Sequence, residues 1–99
     1  MPTYAVLFED NEAVADQRRK YMPDHLDFLE RNQPAIQAAG PLMDVSSDAG
    51  AGGLWLVSAR SADDVQTLVE EDPFWPTGLR KSVRILQWKQ VFANGQRQI

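Results

Sequence analysis

The chain contains a single histidine, His25, within the stretch "MPDHLDFLE" from Met22 to Glu30. An imidazole is suited to general acid–base work near neutral pH, because it can hold or release a proton there. At about 100° per residue, His25 shares a helical face with Met22, Leu26, Phe28 and Leu29. Asp24, Asp27, Glu30 and Arg31 fall on the opposite arc. The imidazole therefore belongs to the apolar stripe, either as a core histidine with one backbone partner or as a functional group beside a pocket. Asp72 shows a similar displacement. It lies on the face of Val65, Leu68 and Val69, at a helix C-terminus where the macrodipole disfavours a carboxylate. An inward acid there is costly unless paired or hydrogen-bonded. It could serve as a local cap before Pro73, or it could hold His25 in one tautomer beside a cleft, which is an acid–base arrangement.

Two helices and four strands must position these groups. "TYAVLFE" (Thr3 to Glu9) reads as the first strand. "DNEAVADQRRKY" is polar and predicts a helical turn or a short helix. The first main helix is expected from Pro23, a residue favoured in a first turn, to about Asn32, before Pro34. This places His25 in the first turn. "AIQAAG" (Ala35 to Gly40) predicts strand two, and Pro41 to Gly53 a flexible connection. "LWLVSA" (Leu54 to Ala59) predicts strand three. "SADD" from Ser61 reads as a capping box opening a helix from Ala62 to about Asp72. "DPFWPTGL" is an aromatic loop, "SVRILQWKQVF" is strand four, and residues 93–99 form a polar tail.

The order β-α-β-β-α-β is the ferredoxin-like, split βαβ pattern of an α+β fold, in a single domain spanning 1–99. Both faces of the expected sheet carry apolar residues: Tyr4, Val6 and Phe8 on one side of strand one, and Ala5 and Leu7 on the other. Two helices cover one face, so a homodimer packed sheet against sheet is expected.

Composition narrows the function classes. The 99 residues are 43% hydrophobic and 24% charged, with net charge −4 and no cysteine. The charge and the lack of a basic stripe argue against nucleic acid and anionic membranes. Without cysteine and with one histidine, no metal site is expected, and no cofactor is implied. The N-terminus reads as a strand rather than a signal peptide, so the expected location is cytoplasmic. "GAGG" lacks the Lys-Ser/Thr end of a phosphate loop, and no Gly-x-Ser-x-Gly elbow occurs.

Several elements together resemble the YCII-related family of small dimeric α+β proteins, in the dimeric α/β-barrel group. They are Pro23-x-His25-Leu26, the Gly40-Pro41-Leu42 turn, "GGLWLV", "DPFWPTGL" and a final strand ending "WKQVF". The resemblance covers nearly the whole chain. It implies a βαββαβ homodimer and a His–Asp pair that maps onto His25 and Asp72. One branch of the family is associated with dehydrochlorination in chloroaromatic breakdown. Many members carry arginine just before the proline, whereas this chain has Met22, so Arg18 or Arg19 is the candidate for that charge. Gly40, Pro41 and Phe74, with Arg18, are the expected substrate-binding residues.

The function expected is a small-molecule enzyme that uses His25 and Asp72 for proton abstraction with elimination or isomerisation. The alternative is a non-catalytic dimeric module whose cleft holds a metabolite.

Overall fold

The computed structural model describes residues 1–99. Strand β1 (Thr3–Asp10) leads through a 3-10 turn (Glu12–Val14) into helix α1 (Asp16–Arg31). Strands β2 (Ile36–Met43) and β3 (Gly50–Ser58) form a hairpin. Helix α2 (Ala62–Glu71) and a second 3-10 turn (Trp75–Thr77) precede β4 (Arg80–Gln87). The four strands form one antiparallel sheet in the order β2-β3-β1-β4. This is the α+β ferredoxin-like arrangement expected from the pattern.

The sheet face that meets the helices is set by alternation. Tyr4, Val6 and Phe8 of β1 and Trp55 and Val57 of β3 are buried, as are Phe28 of α1 and Val65 and Val69 of α2. Phe8 and Trp55 meet edge to face, with ring centroids 5.1 Å apart. Burying side chains of this size contributes roughly 2–3 kcal/mol each, and the aromatic geometry adds a smaller favourable term. Helix α2 starts on Ser61, whose hydroxyl accepts from the Asp64 amide at 3.2 Å. The Asp64 side chain makes no return bond, so only the first half of the capping box is formed.

Three boundaries differ from expectation. Helix α1 begins at Asp16, so Pro23 is interior. An interior proline removes one helical hydrogen bond and strains the turn before it, at roughly 3 kcal/mol. Here the extra turns are held by tertiary contacts: Arg18 pairs with Asp10, and Tyr21 and Met22 are half-buried. His25 therefore lies mid-helix, away from the positive dipole end.

The connection expected from Pro41 to Gly53 is largely strand. Pairing continues through Pro41–Gly53 to Met43–Gly50, because β2 is an edge strand and can leave the proline nitrogen outside the ladder. Gly52 makes this possible at φ +86°, where a Cβ would stand 1.9 Å from the Phe8 carbonyl oxygen.

Strand β4 ends at Gln87, and the expected polar tail folds back as a small hairpin, β5 (Phe92–Ala93) with β6 (Gln96–Arg97). Its turn is Asn94–Gly95, a dipeptide favoured in tight hairpins.

The opposite sheet face presents Ala5, Leu7, Leu54, Leu56 and the 41%-exposed Leu86, with no helix over it. No helix is long and apolar enough to cross a membrane.

Candidate active site

At one end of the sheet, the last residues of β1 and β2 and the first of β3 and β4 converge beneath α1. They enclose a cavity of about 130 Å³. His25 reaches it from α1. Asp72 ends α2 as the C-cap residue, with an extended backbone that turns its side chain back into the core. His25 and Asp72 are 7% and 2% exposed, the two polar residues among those buried.

The His25 Nδ1 and Asp72 Oδ1 atoms are 2.8 Å apart. An ionised carboxylate only accepts, so the proton of this bond belongs to Nδ1. Nε2 is then the basic nitrogen of the neutral ring, and no protein group bonds to it. Asp72 Oδ1 also accepts from the Phe74 amide at 3.1 Å. The local cap and the partner of His25, alternatives in the sequence, are thus one carboxylate doing both. These two bonds offset the cost of an acid buried at a helix C-terminus. The Phe74 ring stacks on the imidazole, with centroids 4.1 Å apart and planes 16° from parallel. Trp55 lies on the cavity floor, 6.4 Å from the same ring.

Arg18, Gly40, Pro41 and Phe74, the expected binding residues, all line this cavity. Arg18 rather than Arg19 is the one directed to it, and Met22 lines the wall as an apolar group. Gly40 has open space around its Cα, with nothing within 4 Å of where a Cβ would stand. Trp75, 36% exposed, is not among the lining residues. No group of three His, Cys, Asp or Glu side chains is arranged to hold a metal ion.

Sequence patterning missed two residues of the site, Asp10 and Arg80. Arg80 Nη1 donates to Asp10 Oδ1 at 3.0 Å, and Arg18 Nη2 donates to Asp10 Oδ2. The guanidinium of Arg80 lies over the Phe8 ring, 4.1 Å from its centroid. Simple alternation back from Val83 would turn Arg80 to the open face with Ser82. Instead the register shifts by one residue, so that Glu9 pairs with Ser82 but Asp10 pairs with Arg80. This β-bulge, with Lys81 as the extra residue, re-aims Arg80 into the cavity. Alternation of apolar and polar types carries no signal for such a bulge.

The YCII-related domain profile matches residues 2–89 of the chain. No curated protein matches it. Among solved structures, the chain is similar to 5-chloro-2-hydroxyhydroquinone dehydrochlorinase from Burkholderia phenoliruptrix AC1100, in complex with 2,5-dihydroxybenzoquinone. The two are 26% identical, with a TM-score of 0.76, over 88% of this chain and 93% of that one. With the profile spanning nearly the whole sequence and the fold in agreement, this chain belongs to the YCII-related family.

Proposed function

We propose that the protein is a small-molecule enzyme in which His25 is the general base, oriented by Asp72, for proton abstraction coupled to elimination. The observation that carries this reading is the buried 2.8 Å contact between His25 Nδ1 and Asp72 Oδ1. It fixes the tautomer and leaves Nε2 as the nitrogen able to take a proton at the cavity. The similarity to a dehydrochlorinase supports loss of HCl as the reaction. In such a step Nε2 takes a proton from the substrate. In the keto tautomer of the ring, whose chlorine-bearing carbon is sp3, the O–H pair left behind becomes a carbonyl, the enol pair shifts to form a double bond to the chlorine-bearing carbon, and the C–Cl pair departs with chloride. Isomerisation would use the same first step, with the proton returned at a carbon.

The test is chloride release from 5-chloro-2-hydroxyhydroquinone by the wild type, His25→Gln and Asp72→Asn. Removal of the base should lower turnover by roughly 10²- to 10⁴-fold. Equal rates in wild type and His25→Gln would defeat the reading. Binding without any turnover in the wild type would favour the metabolite-binding module.

We further propose a homodimer joined through the open sheet face. Leu86 and Trp88, 41% and 46% exposed, continue the apolar surface of Leu7, Leu54 and Leu56. Light scattering should give twice the 11.1 kDa chain mass, and Leu56→Glu should give the monomer. A wild-type monomer at micromolar concentration would refute the dimer.

A further inference from the structure

The cavity holds a cationic group that the His25–Asp72 pair does not employ. The Arg80 side chain is 8% exposed. Its guanidinium is packed over Phe8 and lies 5.3 Å from the centroid of the Phe74 ring, the same ring that stacks on His25. Nη1 donates to Asp10. Nη2 stands 3.9 Å from Asp72 Oδ2, too far for a hydrogen bond, and the buried Nε has no partner. Most donors of this guanidinium are therefore uncommitted, in a setting where desolvation is costly unless the donors are met.

Neither neighbouring acid is dedicated to it. Asp10 is shared between Arg80 and Arg18, and Asp72 is shared between Arg80 and His25. Two arginines and two aspartates balance while His25 is neutral. Once the imidazole takes a proton, the site carries one net positive charge, which a bound anion would offset. Space for the guanidinium comes from Gly53, where a Cβ would stand 3.4 Å from Arg80 Nη1.

We propose that Arg80 is an oxyanion-binding residue: the Nη2 side of its guanidinium holds the ionised oxygen of a phenolate- or enolate-type ligand whose proton His25 removes. This rests on the reading of His25 as the base and adds the ligand class, a flat molecule with an acidic hydroxyl. A planar guanidinium with spare donors matches such an oxygen, and the Phe74 face beside it suits a flat ring.

Equilibrium binding tests this separately from turnover. The probes are 2,5-dihydroxybenzoquinone, whose ring hydroxyls ionise readily, and hydroquinone, which is uncharged at neutral pH. Arg80→Gln should weaken binding of the ionised quinone by about 10- to 100-fold, the range for a hydrogen bond to a charged group. Hydroquinone should be affected by no more than about threefold, since it brings no charge to the guanidinium. Arg80→Lys should fall between, keeping the charge without the fork. Because Arg80→Gln leaves Asp10 with a single partner, Arg80→Gln combined with Asp10→Asn provides a variant in which both buried charges are removed together. A preference for the ionised quinone that persists in the folded single or double variant overturns the proposal, as does equal weakening of both probes or failure of the wild type to bind the quinone. None of these results depends on chloride release by His25→Gln, so the catalytic reading and this one can fail independently.

Discussion

The Phe74 ring lies 4.1 Å from the His25 ring and nearly parallel to it, while the Phe74 amide donates to the carboxylate that holds His25. One residue thus fixes the imidazole both through a ring face and through the backbone. Phe74→Leu keeps the backbone bond and removes the flat face. It should lower stability by about 1–2 kcal/mol and reduce turnover more than that loss alone explains, because the ring is freed to tilt. Thermal melting and kcat measured together check this; a variant with reduced Tm and unchanged kcat would show that the stacking matters only for packing.

The tautomer of His25 is directly observable. With Asp72 accepting from Nδ1–H, the neutral ring should show a protonated Nδ1 and an unprotonated Nε2 in its nitrogen chemical shifts. Asp72→Asn brings an amide that can also donate, so that variant should populate the other tautomer. With one histidine in the chain, the signals need no assignment. A wild-type ring protonated at Nε2 would contradict the arrangement.

Much of this site was legible in the sequence because it broke a pattern. His25 and Asp72 each occupy an apolar helical face, and the structure buries both and brings them together. The order of elements was equally plain, since β1 and β3 alternate and the helices keep their period around His25 and Val65. Arg80 and Asp10 were not legible, because their meeting depends on a one-residue shift of strand pairing. Nor was the length of α1, where packing and the Arg18–Asp10 pair outweigh the usual effect of Pro23. Local preference fails where a distant contact supplies the compensation.

Two glycines of the cavity wall should respond in opposite ways. Gly52→Ala places a Cβ against the Phe8 carbonyl oxygen at a positive φ, and it should destabilise the fold by about 3 kcal/mol or more. Gly40→Ala meets nothing within 4 Å and should change stability by less than about 1 kcal/mol. Denaturant unfolding of both variants settles the contrast, and a silent Gly52→Ala would show that β3 relaxes at no cost.

The β2–β3 connection carries a pH-dependent contact. Asp44 accepts from the Ser46 hydroxyl at 2.6 Å and from the Ser46 amide at 2.9 Å. The hydroxyl bond first, and then the amide bond, hold its carboxyl below the ordinary value of 3.8. A depressed folded value means that the contact stabilises the turn fully above the unfolded value and is lost as pH falls through the lower folded one. Ser46→Ala should move the Asp44 titration back towards the ordinary range, read from its carboxyl carbon shift. An unchanged curve would show that the hydroxyl does not matter.

The bulge at Lys81 separates two properties of the cavity that could have been inseparable. The His25–Asp72 pair is carried by the helical layer, whereas the Arg80 guanidinium is aimed by the pairing register of β4 against β1. Inserting one residue between Glu9 and Asp10 would give Lys81 a partner, restore regular pairing and turn Arg80 outward, with His25, Asp72 and Phe74 left in place. The proposed base and the proposed anion-binding group are therefore independently variable in this scaffold. A single residue inserted in β1 is enough to leave the same His–Asp pair beside a cavity without its guanidinium.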